Sequence, residues 1–288
     1  VPILLNQPRS DDLPRAVAAL REWQADGAPL QLHPGDIGWY WRFGAEETAA
    51  AVRTWSLDGR VLAVGLLDGA DLLRLAVAPD ARNDTVLAEQ IVADVSSPAR
   101  GVLPEGTVFV EARGCDAVRR HLAARGWVDD EPWAPLVRDL TEPVEAAGFR
   151  VEVVGPELAA VRADVQRAIF EESVFTTERW HVMASGFLYS DARCLVGFDD
   201  HDVAVAAVTV WSAGTGRPGL IEPLGVHRDH RGHGYGTAIT LAAASALREV
   251  GSSSALVCTP SSNTGGIATY QAAGFHRGAD VRDQRREG

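Results

Sequence analysis

Residues 220–241 read LIEPLGVHRDHRGHGYGTAITL, and this stretch decides how the chain is understood. An apolar strand, Leu220 to Val226, runs into a short basic loop. The loop then starts a helix through Arg231-Gly232-His233-Gly234-Tyr235-Gly236. Gly234 and Gly236 carry no side chain to block a ligand, so backbone N–H groups of the first helical turn can face outward. The helix dipole adds positive potential at the same place. Such a turn is an anion cradle suited to a pyrophosphate.

Familiar phosphate sites can be compared with it. A P-loop needs Gly-Lys-[Ser/Thr], and this chain has no lysine; all 27 of its Lys+Arg residues are arginine. The same absence removes a kinase strand lysine and a pyridoxal Schiff base. A dinucleotide fingerprint would place a third glycine where Ile239 stands, and would start directly after the strand, whereas His227 to Arg231 intervene. What remains is R-x-x-G-x-G after a strand, spelled Arg231, Gly234 and Gly236. It resembles the coenzyme A motif of the GNAT acyltransferase superfamily. As a bare pattern it is also compatible with an ordinary glycine-rich helix start.

Downstream, ALVCTPSSNTGGIATYQAAGF (255–275) reads as a buried strand, a polar loop, and a short helix from Asn263 ended by Gly274. This resembles the second half of the GNAT core. Upstream, ARCLVGFD and VAVAAVTVW have the composition of an antiparallel hairpin around Asp199-Asp200. Two amphipathic segments, Glu157 to Glu172 and Thr177 to Ser185, precede them. The order helix–helix–strand–strand–strand–helix–strand–helix is that of the GNAT fold, and the resemblance covers 149–288.

The first half repeats the pattern. LLRLAVAPDARNDTVLAEQIVADV (72–95) can be laid on 221–244 at one constant offset, which puts Val77 on Val226 and Arg82 on Arg231. VRRHLAARGW resembles GIATYQAAGF within one residue of that offset, with Gly126 on Gly274. The expected fold is therefore α/β, with two tandem GNAT domains similar in layout to mycothiol synthase. Each would be a mixed, mostly antiparallel sheet flanked by helices, with splayed central strands. Expected boundaries are a degenerate domain over 1–140, a linker over 141–148 and a catalytic domain over 149–288. The first copy has Thr85 and Leu87 at the two glycine positions, where their side chains would obstruct a pyrophosphate. It also has Leu122 for Tyr270, Cys115 for Asn263 and Leu73 for Glu222. It is expected to have lost cofactor binding and chemistry.

The resemblance assigns roles in the second copy. Backbone N–H groups of Arg231, Gly232, His233, Gly234, Tyr235, Gly236 and Thr237 would hold the pyrophosphate of acetyl-CoA. Leu224, Gly225 and Val226 would pair with the pantetheine arm as a strand does, and Asn263 would contact that arm. The Val226 N–H would face the oxyanion. Tyr270 would protonate the departing thiolate, since a phenol with an ordinary pKa near ~10 holds its proton at neutral pH. Glu222, four residues before Val226, is the candidate base; a bulge common in this strand leaves its facing open. Two roles stay open for Arg231: phosphate contact or loop bracing. Cys258 reads as a buried small residue. Glu171, Glu172, Trp180 and His181 fall where this fold walls its acceptor site, but an amphipathic helix explains them as well. His227, His230 and His233 lie in the phosphate loop without an acidic or cysteine partner at ligand spacing, so no metal is expected. HPGDIGWYWRFG (33–44) is aromatic and polar at once, and reads as helix-to-strand packing or a domain contact.

Composition sets outer limits. With 46% hydrophobic and 23% charged residues the chain can fill two cores. Its apolar runs are too short to span a bilayer, and no secretory signal pattern starts it, so no membrane partner is expected. Three scattered cysteines suit a reducing cytoplasm, the expected location. A net charge of −12 argues against nucleic acid and is compatible with a cationic substrate. The expected activity is acetyl transfer from acetyl-CoA to a primary amine of a small molecule, directly within a ternary complex. Alternatives are a non-catalytic acyl-CoA binder or sensor, and an enzyme acting on a protein amine. Sequence alone does not give the oligomeric state.

Overall fold

The computed structural model describes residues 2–288. In chain order the elements are β1 (Leu4–Asn6), α1 (Leu13–Trp23), α2 (Pro34–Tyr40), α3 (Ala45–Ala51), β2 (Val52–Leu57), β3 (Arg60–Leu67), β4 (Leu72–Val77), α4 (Thr85–Ser96), β5 (Val108–Glu111), α5 (Asp116–Ala124) and β6 (Val128–Asp139). There follow β7 (Arg150–Val153), α6 (Ala159–Ile169), α7 (Thr177–Ala184), β8 (Ala192–Phe198), β9 (Ala204–Ser212), β10 (Gly219–Val226), α8 (Tyr235–Glu249), β11 (Ser254–Pro260), α9 (Thr264–Ala272), β12 (His276–Arg277) and β13 (Val281–Arg286). The chain divides into two compact units. One comprises the chain up to His33, Ala45–Trp133 and Asp280–Gly288; the other comprises Pro34–Gly44 and Ala134–Ala279.

In the second unit the sheet runs β7-β8-β9-β10-β11, antiparallel up to β10 and parallel between β10 and β11. The β8–β9 turn forms because the Asp199 carboxylate accepts from the N–H groups of His201 and Val203, both at 2.9 Å, while Asp202 takes a left-handed φ of 62°. One face of β9 and β10 carries Val208, Val210 and Ile221 into a core shared with Ile239, Ala243 and Leu247 of α8 and with Val257, Tyr270 and Phe275. Burying each large aliphatic side chain there contributes about 1.5–3 kcal/mol. On the opposite face the buried Arg162 of α6 donates to Gln166 Oε1 at 2.7 Å and to Thr209 Oγ1 of β9 at 3.4 Å, which anchors that helix.

The first unit runs β1-β2-β3-β4-β5 with the same sequence of orientations, again ending in a parallel pair, β4–β5. Helices α4 and α5 follow β4 and β5 as α8 and α9 follow β10 and β11. β13 then pairs antiparallel with β5 and with the first half of β6. Arg113 clamps that strand: its Nε donates to Asp283 Oδ1 at 2.8 Å, with Glu111 Oε2 3.6 Å away. Burial, ahead of Arg113's opposing charge, pushes the Asp283 carboxyl above its ordinary pKa.

The compact units do not follow the uninterrupted division expected at 141–148. Residues 34–44 belong to the second unit because Gly38 lets α2 sit directly on Trp211 of β9, and because Trp39 stacks on Phe175 with centroids 5.1 Å apart. Residues 280–288 belong to the first because β13 completes its sheet. Both assignments arise from contacts distant in sequence. The stretch 141–148 itself contains no helix or strand. β7, a short edge strand over Arg150–Val153, is an addition to the elements expected from the sequence.

Candidate active site

β10 carries a bulge. Ile221 pairs with Val210 and Leu224 with Val208, so Glu222 and Pro223 together oppose Thr209. Proline lacks an N–H, and a bulge is where a strand tolerates it. Trp211 Nε1 donates to the Glu222 carbonyl at 2.9 Å and fixes the bulge. Beyond it, His227 N donates to Val205 O at 2.8 Å. Backbone groups alternate between edges along an antiparallel strand, so Gly225 and His227 bond toward β9. Leu224 and Val226 direct their N–H and C=O groups to the other edge. β11 pairs with β10 only at Gly219 and Leu220, so among the described residues no strand covers that edge. It borders a cavity of about 650 Å³.

The same cavity meets the start of α8. Gly234 occupies the N-cap position with φ 84° and Gly232 has φ 83°, a conformation costly for residues with a Cβ. A Cβ on either would meet nothing within 4 Å, so space lies beside both. Among the described residues the backbone N–H groups of Gly232 to Thr237 have no intramolecular acceptor; Ala238 N, bonded to Gly234 O at 3.1 Å, is the first that does. No side chain caps α8. The arrangement fits a diphosphate: a run of unsatisfied donors, the positive end of a 15-residue helix, and open space in front.

Two arginines hold this loop against α6. Arg228 donates from Nε to Ala168 O at 3.0 Å and from Nη2 to Arg167 O at 3.1 Å, and Arg231 Nη2 donates to Ile169 O at 3.2 Å. They satisfy carbonyls that the end of α6 leaves unpaired. Of the two roles left open for Arg231, the structure displays loop bracing. Gly225 belongs to the same contact, since any Cβ there would collide with Ile169.

Most of the residues flagged in the sequence line the cavity: Leu224, Gly225, Val226, Arg231, Gly232, Gly234, Tyr235, Gly236, Thr237, Asn263 and Tyr270. His233 does not; its Nδ1 lies 3.0 Å from Arg231 O and 3.2 Å from His230 O, which places the ring proton on Nδ1. Glu222 is also outside the lining, yet its charge reaches Tyr270. The Tyr270 phenol is buried, and its pKa is pushed above the ordinary value by burial first, then by Glu222 and Cys258. Asn263 caps α9: Oδ1 accepts from Gly266 N at 3.0 Å and Nδ2 donates to Thr259 Oγ1 at 2.9 Å. Ile169, Phe170, Gly265, Gly266 and Thr269 line the cavity without having been flagged. The Gly265-Gly266 pair at a helix start was a readable signal for two of them, whereas Ile169 and Phe170 arrive only by tertiary packing.

Glu171 pairs with Arg228 at 3.5 Å, and Trp180 is buried in the α7 core. The His227 and His230 rings meet edge to face at 5.1 Å; no group of three or more His, Cys, Asp or Glu suited to a metal is present among the described residues. Nor is any helix among them long and apolar enough to cross a membrane.

The corresponding helix start in the first unit is built differently. Asp84 caps α4, its Oδ1 accepting from Val86 N at 2.9 Å and Leu87 N at 3.1 Å. Two of the donors of this turn are here bonded to a carboxylate. Leu87 does not obstruct the turn as expected, because its side chain is buried in the core. Asp84, unremarked in the sequence, is the residue whose carboxylate occupies that turn.

The sequence model of the acetyltransferase (GNAT) family matches residues 159–275, the span from α6 to the end of α9. Over that span the chain is similar to the GNAT family. Three solved structures share the fold over nearly the full length. A GCN5-related N-acetyltransferase from Sphaerobacter thermophilus has TM-score 0.60 at 21% identity, covering 99% of this chain and 95% of that one. A tandem GNAT protein from the clavulanic acid biosynthesis pathway gives 0.62 at 18%, covering 99% and 98%. A GNAT-family acetyltransferase from Colwellia psychrerythraea gives 0.61 at 15%, covering both chains fully. No protein in the curated set matches by sequence. The GNAT match contains both the cradle and Tyr270.

Proposed function

We propose that the protein is an acetyl-CoA-dependent N-acetyltransferase of tandem GNAT layout, with its working site in the second unit. One observation carries the reading. The unsatisfied N–H run at Gly232–Thr237, the uncovered edge of Leu224 and Val226, and the buried phenol of Tyr270 border one cavity of about 650 Å³. A cradle alone would bind an anion, but a cradle continuous with a bare strand edge and an acid suits an extended acyl thioester. β10 and β11 would splay to admit the pantetheine arm, and acetyl-CoA would supply the activated acyl group.

Each residue then has a definite task. The α8 donors hold the diphosphate, and the Leu224–Val226 edge aligns the arm by strand-like bonds. The Val226 N–H meets the carbonyl oxygen as it gains charge. Glu222 takes the proton that the attacking amine must lose, and Tyr270 gives one to the sulfur as the C–S bond breaks. Asn263 borders the arm while capping α9. Direct transfer requires no covalent enzyme intermediate. A small primary amine is the acceptor most consistent with a carboxylate base and an acidic chain.

The test is thiol release from acetyl-CoA over a panel of small primary amines, with acetyl-CoA affinity measured in parallel. Amine-dependent release supports the reading. Binding without release on any amine would make the protein an acyl-CoA binder; release only with a protein amine would move the acceptor class.

A further inference from the structure

β4 in the first unit has the same open geometry as β10, but something occupies it. β4 pairs with β5 only at Leu72, Leu73 and Arg74. Ala78 N donates to Leu62 O at 2.8 Å, so Ala76 and Ala78 bond toward β3 while Leu75 and Val77 face the other edge. On that edge Leu75 O accepts from Leu32 N at 3.4 Å. In the sequence repeat Leu75 stands where Leu224 stands in the second unit.

We infer that residues 29–33 are a built-in ligand of the first unit, lying along β4 where the cofactor's arm would lie along β10. The correspondence with a cofactor cleft rests on the proposed function; the occupation of the β4 edge does not. The strap has no helix or strand of its own, yet Gln31, Leu32 and His33 are buried and Leu32 is fully so. Irregular backbone can be buried only if its polar groups find partners. Those of Leu32 do: its N–H reaches Leu75 O and its carbonyl accepts from Gln24 Nε2 at 3.2 Å, while Gln31 Nε2 donates to Trp23 O at 3.2 Å. On the far wall, a Cβ at Gly114 would stand 3.4 Å from Pro29 and 3.5 Å from Gln31, so glycine gives the strap its width. Beside Gly114 lies Cys115, fully buried, its thiol pushed up to about 12 by burial.

The chemistry of the substitution is direct. A pantetheine arm is an extended chain bearing amides, and so is a peptide; either can satisfy a bare strand edge. The strap supplies the amide and apolar contact, and the Asp84 carboxylate supplies the anion at the first turn of α4. Both halves of the first unit's cleft are thus filled from within, which would keep a cofactor out by a different route from the side chains of Thr85 and Leu87. The strap ends at His33, where α2 begins.

Hydrogen exchange of the full chain tests the strap without any acetyl-CoA. The Leu32 amide should exchange at least about a hundredfold more slowly than amides of the exposed loop 25–27. In the double variant Gln24→Ala, Gln31→Ala that protection should fall. Alkylation of Cys115, mapped by mass spectrometry, should then accelerate at least about tenfold. Cys194, buried in the second unit, should label no faster and so reports that the fold persists. A Leu32 amide in the native chain that exchanges like the exposed loop would overturn the inference. So would unchanged Cys115 labelling once the strap amide has lost protection. If the double variant unfolds, as Cys194 would reveal, native Leu32 exchange decides alone. A failure of the strap leaves acetyl-CoA binding and thiol release untouched, and a failure of those leaves the strap standing.

Discussion

Replacing Tyr270 with Phe removes one oxygen and almost no packing volume. The ring is 8% exposed and packs near Phe275, with centroids 5.9 Å apart, and the variant keeps that contact. Losing the hydroxyl should change stability by no more than about 1 kcal/mol. Acetyl-CoA affinity should move less than about twofold, because the cradle and the β10 edge are unaltered. The cost should fall on turnover. A positioned general acid contributes about 10²–10⁴-fold, equivalent to about 3–5 kcal/mol of barrier. Burial, Glu222 and Cys258 all raise the phenol's pKa, so the acid form persists through the neutral range. Activity that depends on it is lost as pH rises through the raised pKa, so the alkaline limb should lie above the ordinary tyrosine value of ~10. Single-turnover rates under saturating acetyl-CoA separate chemistry from product release. An unchanged single-turnover rate, or a loss confined to KM, would show that Tyr270 is a packing residue and that the thiolate leaves unassisted.

Four further outcomes are expected. Calorimetric titration with acetyl-CoA should give a stoichiometry near one per chain, since Asp84 closes the other helix start; two equal sites would contradict this. Gly236→Ala places a Cβ 3.0 Å from Thr269 Cγ2 at the cavity wall, and should weaken acetyl-CoA binding by at least about tenfold, ~1.4 kcal/mol, measured by the same titration. Asp283→Ala removes the carboxylate that pairs with the buried Arg113 guanidinium; a loss of about 3–5 kcal/mol should lower Tm by at least about 6 °C, with acetyl-CoA binding by the folded protein unchanged. Glu222→Gln should lower kcat/KM while leaving acetyl-CoA affinity unchanged. It should also draw the alkaline limb downward, because the charge that helps raise Tyr270 is gone; a wild-type profile would assign the proton to water or another group.

The local part of the site was legible because it is written locally. Arg231, Gly234 and Gly236 specify a loop and a helix start within six residues, and Asn263 caps its helix through Gly266, three positions on. Periodicity also marked α6, α7 and the β8–β9 hairpin close to their observed limits. What was not legible depends on distant partners. Nothing near Gly38 announces that it will sit against Trp211, and nothing near Leu32 announces Leu75. Leu87 shows the remaining error: alignment placed it at the turn, but in α4 the side chain points into the core.

The two helix starts explain why one fold supports different outcomes. A side-chain N-cap such as Asp84 typically stabilises a helix by about 0.5–2 kcal/mol relative to alanine. α8 forgoes that stabilisation: it begins at a left-handed glycine with its leading donors unbonded. It can do so because its length and the burial of Ile239, Ala243 and Leu247 hold it in place without a cap. Open donors are a liability in a helix whose only role is packing, which is why natural helices so often cap them. They are an asset where an anion is to be bound, since a resident carboxylate would have to be displaced first. α4 took the cap and β4 took the strap; α8 kept neither, and the uncovered edge of β10 lies beside it. Two local replacements on a shared topology, a capping carboxylate and a strap, thus distinguish the helix start and strand edge of the first unit from those of the second.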